Sequence, residues 1–528
     1  MGPQLGVHEL LHVFSFLEAR DLLRAAQVDK VWNEVSGTKE LWRQLCLRRW
    51  SSCKDFQVTR GTQTWKQYYL CRSELDFRVE SGRPEKDFIC KALAGPKGEI
   101  AKLAYVSPSE YCFDRREKSV VCTRPQMALC VPGIYVSTAM AQTLSSRRRW
   151  RRELSVPPAQ SATPATLSPA PCASLWPNPG HNGVMGMEIW SSPLQPAALV
   201  NLVTYPQLQL VVTVDAQGLI KVWEAESGRE SASFCLPTHS SALEASDHPE
   251  GPFLLAACAD GTLYMLTVPG LQLLSRVSVF PNQPASLFCS PDCQWVFALA
   301  QDSDLSPKVF HSQSLLCPPE DEPPVSTALP IRLTSRACWA PDEAARLVVM
   351  HRDDNSVQWV VSTYELGAKK CRDAMNILVQ QVTSFILPDT MMPPHLMKGH
   401  GSQVVLLVSG SELVLFTIHG LWLAAFQDHQ KPITSLYVDQ SRVITSSFDL
   451  SLRVYLWKKE NKFPVLKSCC YLLGGSHRWA SMSFPSQWIY QVESDSMSIV
   501  GVEARNTGTS ILRSYYFQLQ RDQGNCIG

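Results

Sequence analysis

Residues 5–50 read LGVHELLHVFSFLEARDLLRAAQVDKVWNEVSGTKELWRQLCLRRW, a run of short apolar helices that closes on Leu41, Trp42 and Trp50. Val7, Leu10, Leu11, Phe14 and Leu17 recur at steps of three and four, which is one apolar helix face. Asp21 is expected to cap a second helix carrying Leu22, Leu23 and Ala26. Val28, Val31, Trp32 and Val35 extend the stripe until Ser36-Gly37-Thr38 interrupts it. Thr38 then opens a last helix, with Glu40 in its first turn, where a negative charge suits the helix dipole, and with Leu41, Trp42, Leu45 and Cys46 on its buried side. A segment this small encloses its own hydrophobic residues poorly, so it is expected to complete its core against another polypeptide.

The order of these positions resembles the F-box family, which runs from a leading Leu-Pro to a closing Leu-Trp-Arg. Leu5, Val13-Phe14-Ser15-Phe16-Leu17, Asp21-Leu22-Leu23, Val28, Trp32 and Leu41-Trp42-Arg43 occupy the matching places, while Gly6 replaces the usual proline. Glycine lacks proline's fixed φ, so the first helix is expected to start more loosely. The resemblance implies that Leu5, Leu10, Val13, Phe14, Leu17, Leu22, Leu23, Val28, Trp32, Leu41 and Trp42 supply an adaptor-binding surface and the core that supports it.

Beyond this region Thr64–Ser73 (TWKQYYLCRS) places Trp65, Tyr68, Tyr69 and Arg72 at helical spacing, a connecting helix and not a Gly/Ser linker. The rest is β-rich and weakly periodic. A tight turn followed six residues later by a bulky apolar residue recurs as Gln217–Trp223, Asp260–Leu266, Asp304–Phe310, Asp353–Trp359, Gly410–Phe416 and Asp449–Tyr455, more faintly as Asp114–Val120. The closing residues from Trp223 to Tyr455 stand 43, 44, 49, 57 and 39 positions apart. Those steps bracket the repeat of about 40–45 residues that builds one four-stranded propeller blade. Seven such units fit, and a partial one near Asp495 is expected to close the ring.

The fullest unit is residues 426–457, where Asp428-His429 stands in the place of Gly-His, Ser447-Phe448-Asp449 in the place of Ser-x-Asp, and Tyr455 in the place of Trp. This resembles the WD repeat, in which such groups form a hydrogen-bonded set inside a blade. The resemblance assigns structural roles to Trp223, Asp260, Asp304, Trp359, His429, Ser447, Asp449 and Tyr455. His429 and Asp449 are accordingly read as a structural pair and not a catalytic one. No Ser-elbow, phosphate-cradling Gly loop or carboxylate pair emerges from the spacing. The pair Gly399-His400 lies too close to Phe416 to open a blade.

The expected architecture is an α + all-β chain. It comprises an F-box at 1–50, a helical linker at 51–90, a partial first blade at 91–123, a disordered Pro/Ala/Ser/Arg-rich insertion at 124–183, and a degenerate, seven-bladed WD-repeat β-propeller over 184–528. The 528 residues suit a multidomain chain or a large repeat fold. A net charge of +1 supplies no general attraction to nucleic acid or membrane. The run Arg147–Arg152 (RRRWRR) is read as a solvated charge cluster on the insertion. No apolar stretch is long enough to span a bilayer, and no secretory leader is apparent. The 18 cysteines, Cys289, Cys293 and Cys469-Cys470 among them, lack zinc-site spacing and read as reduced thiols of an intracellular protein, cytoplasmic or nuclear.

The two motifs together resemble the F-box/WD-repeat family. That resemblance implies a non-enzymatic substrate receptor of an SCF-type ubiquitin ligase, with no cofactor. Its expected partners are a Skp-type adaptor, through it the cullin–RING scaffold, and a target protein held by the propeller. The alternative is a propeller scaffold outside any ligase. In the family's phosphodegron readers arginines hold the target; Arg442 and Arg453 are the candidates of that type here.

Overall fold

The computed structural model describes residues 6–49, 64–80, 88–94, 100, 102–107, 111–114, 119–122, 126–131, 134–140, 186–193, 195, 197–316, 324–353, 358–371, 374–458, 463–473, 486–495, 498–505 and 510–517. Leu5, Trp50 and the arginine run at 147–152 lie outside these residues.

Five helices come first: α1 (Val7–Phe14), α2 (Ala19–Ala25), α3 (Lys30–Ser36), α4 (Lys39–Arg49) and α5 (Trp65–Glu80). The start of α2 differs from expectation. Glu18 is its N-cap, and Asp21 sits within the first turn, where it favours the positive end of the helix and pairs with Arg24 at 3.2 Å. α3 is capped by Asp29, whose Oδ1 accepts the Trp32 N–H at 2.8 Å. α5 opens on a reciprocal capping box: Gln67 N–H donates to Thr64 Oγ1 (3.2 Å) and Thr64 N–H to Gln67 Oε1 (3.0 Å). Trp65, Tyr68 and Tyr69 of α5 join the core of the preceding helices, so α5 is packed into the bundle as well as leading out of it.

Among the described residues the remaining strands form eight four-stranded antiparallel sheets and one two-stranded hairpin. Blade 1 is built from Lys102–Ser107, Gln126–Val131, Ile134–Met140 and Gly186–Ser191. Blades 2 to 7 occupy 199–235, 240–278, 286–328, 334–386, 396–426 and 433–473, each with its strands in sequence order. Blade 8 combines Ser486–Ser494, Ser498–Arg505 and Ser510–Phe517 with an outermost strand, Phe88–Ala94, from the other end of the chain. The ring closes there. Tyr490 Oη donates to the Ile100 carbonyl at 2.6 Å, Gln491 Nε2 to the Leu103 carbonyl at 3.1 Å, and Tyr105 Oη meets Ser498 Oγ at 2.8 Å.

Seven units and a closing strand become eight sheets because the unit near Asp495 is a full blade. Its strands come from both chain ends, so no period marks it. The faint unit Asp114–Val120 is not a blade; it lies on the hairpin Tyr111–Asp114/Ser119–Cys122, inserted between the first two strands of blade 1 and touched by α5. The stretch 124–183 is likewise not wholly insertion, since Gln126–Val131 and Ile134–Met140 are paired strands of blade 1; residues 141–185 lie outside the described residues. Short helix α6 (Ser312–Leu316) lengthens blade 4, and two 13-residue strands, Trp359–Cys371 and Ala374–Ile386, lengthen blade 5. These additions account for the steps of 49 and 57. Trp359 consequently opens its strand and does not close one.

The core is distributed between blades. Each cluster draws side chains from two neighbours, as where Phe297 and Val309 of blade 4 meet Trp339 and Tyr364 of blade 5. Because each sheet is covered on both faces, middle strands such as Val404–Ser409 are buried along their whole length.

Candidate functional site

The helical bundle sorts its apolar residues into two sets. Leu10, Phe14, Leu22, Leu41 and Trp42 are buried within it, together with Val35, Leu45 and Cys46. Trp42 is fully enclosed. Its Nε1–H donates to the Ser36 carbonyl at 2.7 Å, and its ring meets Tyr69 edge-on at 5.5 Å. Phe14 packs edge-on against Trp32 at 5.2 Å and so joins α1 to α3. These five side chains cannot form a contact surface; they support one. Leu17, Leu23 and Trp32 are half-buried at its edge.

The second set faces outward. Val13 and Val28 remain exposed, as do three residues not singled out as contacts by sequence, Val7, Phe16 and Val31. Phe16 is 74% exposed, although His12 rests edge-on against its ring at 5.2 Å. A signal for part of this division was present in the sequence: Val13 is offset from the Leu10–Phe14 line by about a quarter turn, and Phe16 follows the end of α1. Gly6 precedes α1 with φ −68° and ψ 168°, an extended backbone that lies within proline's range.

Blade 7 holds the polar set expected near residues 429–455, with one member exchanged. His429 Nδ1 lies 3.0 Å from Asp449 Oδ2, and its Nε2 lies 2.7 Å from Thr445 Oγ1. Ser451 Oγ donates to Asp449 Oδ1 at 2.6 Å, and Gln430 N–H donates to Asp449 Oδ2 at 3.0 Å. Burial alone would raise the Asp449 carboxyl, but the hydrogen bonds from His429 and Ser451 bring it well below the usual carboxylate range. Thr445, and not Ser447, meets the imidazole at Nε2, and Ser451 Oγ lies 3.2 Å from its Nδ1. Ser447 Oγ instead donates to the Lys431 carbonyl at 2.8 Å. The Tyr455 ring is buried against Phe426 (4.9 Å), and its hydroxyl faces Asp428 and Thr445.

Blade 2 keeps the other half of this arrangement. Trp223 Nε1–H donates to Thr213 Oγ1 at 2.9 Å, and Asp215 Oδ1 accepts the Gln217 and Leu219 N–H groups that order the following turn. Thr213 and Thr445 each stand ten positions before the aromatic residue, a spacing that could have located both. Asp260 orders its turn through the Thr262 N–H at 2.9 Å, whereas Asp304 is exposed. Trp359 is half-buried beneath the Arg352 guanidinium at 4.7 Å.

Near the centre of the ring, burial pushes Glu244 and Glu493 up to about 7, and Lys102 and Lys398 oppose that rise for both. These four residues come from the innermost strands of blades 3, 8, 1 and 6, so their charges act across the central space. Among the described residues no group of three or more His, Cys, Asp or Glu side chains could hold a metal ion, and no helix is long and apolar enough to cross a membrane. Burial raises the Cys289 thiol well above its ordinary value.

The geometry can therefore dock and hold proteins. An apolar helical face stands on a supporting core, followed by a closed propeller whose His–Asp pair is committed to a turn. Comparison with known proteins agrees. An F-box-like domain model matches residues 8–48. The chain is 32% identical to "F-box/WD repeat-containing protein 12" of Homo sapiens, over 96% of this chain and 97% of that protein. It is 28% identical to "F-box/WD repeat-containing protein 15" of Mus musculus, over 98% and 99%.

Proposed function

Because this chain belongs to the family of F-box/WD-repeat proteins, we propose that it is the substrate-recognition subunit of an SCF-type ubiquitin ligase. The helical bundle binds a Skp-type adaptor, the adaptor carries the cullin–RING scaffold, and the propeller holds the target protein. The observation that carries this reading is the uncovered apolar set Val7, Val13, Phe16, Val28 and Val31, held outside a core that is already complete. Exposed aliphatic and aromatic side chains grouped on one small domain mark an interface. In this reading the chain breaks no bond. It raises the effective concentration of target lysines near the ubiquitin-carrying enzyme.

The test is co-purification of the full chain with the Skp-type adaptor. The double variant Val13→Asp/Phe16→Asp should lose the adaptor by more than about 100-fold in affinity while its thermal unfolding stays unchanged, because both side chains already face water. Retention of the adaptor by that variant overturns the proposal. Phe14→Ala would be a poor probe, since Phe14 is buried and its loss would unfold the bundle.

A further inference from the structure

A propeller covers the faces of its sheets but leaves the outermost strand of each sheet with one unpaired edge. Most outer strands here carry a charge or are short, and both features discourage further pairing. Glu188 lies in Gly186–Ser191, Glu230 in Glu230–Cys235, Arg276 in Leu273–Ser278, Lys467 in Val465–Leu473 and Lys91 in Phe88–Ala94. Ser326–Ala328 and Trp422–Phe426 span only three and five residues. Blade 5 has neither protection. Its outer strand, Ala374–Ile386, reads AMNILVQQVTSFI, 13 residues with no charge, no proline and no glycine.

Among the described residues this strand pairs only with Trp359–Cys371, so the N–H and C=O groups of its other side form a free edge. Leu378, Val382 and Ile386 stand along it, 55%, 37% and 58% exposed. No other described propeller strand carries more than one large apolar side chain so exposed. At the Phe385 end a turn of blade 6 closes in. Gly420 (φ +82°) sits where a Cβ would lie 2.7 Å from the Phe385 Cβ, and Phe416 meets the rings of Phe385 and Trp422 at 5.5 and 5.3 Å. Exposed Leu421 and Trp422 therefore adjoin the end of the strand.

We propose that Ala374–Ile386 is a self-association edge, pairing antiparallel with the same strand of a second copy of this chain about a two-fold axis. Charge and length select that occupant. In a two-fold antiparallel pair each strand meets its own sequence, so a charge near the axis is brought against its own copy. An uncharged strand escapes that repulsion, and a partner of equal length can satisfy the whole row of free N–H and C=O groups. A second Ala374–Ile386 meets both conditions. The bulge beside Val382 divides the strand, and Ala374–Gln381 is its longer regular stretch. The inference stands apart from the ligase reading, because no bundle residue takes part in it.

The experiment is sedimentation velocity on the full chain from about 1 to about 100 μM. The mass should rise from one copy to two, equally at low and high salt, because no charge pair holds the edge. Hydrogen exchange of Met375–Ile386 should slow by at least about fivefold at the upper concentration, with the other outer strands unchanged. Leu378→Lys/Val382→Lys should weaken self-association by at least about tenfold while thermal unfolding and adaptor capture stay as they were, since both side chains face water. Leu378→Glu/Val382→Glu should do the same, and mixing the Lys and Glu forms should restore a two-copy species. One copy at every concentration, or a two-copy species that persists in the Lys form or dissolves in salt, overturns the inference. Slow exchange of Met375–Ile386 in the one-copy species also overturns it, because the edge would then be covered by something other than a second copy.

Discussion

The helical bundle and the propeller solve the same problem with opposite results. Both are built from elements with an apolar face, but each propeller sheet has a neighbour on either side and the ring returns to its start. The six bonded residues of Val404–Ser409 are therefore buried on both faces. The bundle has no such neighbour. It fills its interior with Phe14, Leu22, Leu41, Trp42 and the α5 aromatics and still leaves Phe16 and Val28 in water. Closed repetition removes unpartnered faces, while a small domain keeps them, and that remainder is where a second protein can add stability.

The sharpest way to break this comparison is to empty each core. Trp223→Ala and Trp42→Ala both delete a fully buried indole and one hydrogen bond, and each should cost about 3–5 kcal/mol. The expected outcome differs in kind. Trp223→Ala lowers the unfolding midpoint of the propeller and leaves adaptor capture intact, whereas Trp42→Ala abolishes capture and leaves the propeller transition in place. Calorimetry with parallel adaptor pull-down checks this; a single shared transition in both variants would show that bundle and propeller are not separate cores.

Two pH dependences, both confined to the propeller, follow at a smaller scale. Asp449 has a depressed folded pKa, so its contribution is full above its unfolded value of 3.8 and is lost as the pH falls below that. Asp449→Asn should remove about 1–2 kcal/mol at neutral pH, and the difference from wild type should shrink progressively as the pH falls from 3.8 toward the depressed folded value. Glu244 and Glu493 act in the opposite direction. Their folded values of about 7 exceed the unfolded value of 4.5, so the propeller gains stability as the pH falls from about 8 through 7 toward 5. Urea unfolding across that window should show a gain of about 1–2 kcal/mol that Glu244→Gln/Glu493→Gln eliminates, with adaptor affinity flat throughout.

The smallest effect sharpens the bundle side. Gly6 already holds φ −68°, so Gly6→Pro requires no change of backbone, only that the flexible Glu9 carboxylate swing away from the added ring, and it removes freedom from the unfolded chain. It should stabilise the bundle by about 0.4–1 kcal/mol and tighten adaptor binding by no more than the matching few-fold, measured by calorimetry and titration. Weaker binding by this variant would mean that α1 needs the looser start.

Legibility followed the range of the forces involved. The spacing of Leu10, Phe14 and Leu17 and the Thr64–Gln67 cap are local, and they could be read directly. The turns at Asp215, Asp260 and Asp449 are local as well, since each carboxylate binds N–H groups only a few residues ahead. The exchange of Ser447 for Thr445 was harder, because both hydroxyls are near His429 in sequence and only strand pairing decides which one meets the ring. Blade 8 was hidden for the same reason: Phe88–Ala94 pairs with Ile511–Phe517 across almost the whole chain.

By itself the sequence determined that short amphipathic helices precede a repeating β fold, because periodicity and turn chemistry act over a few residues. Tertiary structure alone decided which bundle residues face water and how many sheets the ring contains. Those outcomes depend on groups far apart along the chain arriving at one place, which only the closed ring and the packed helices bring about.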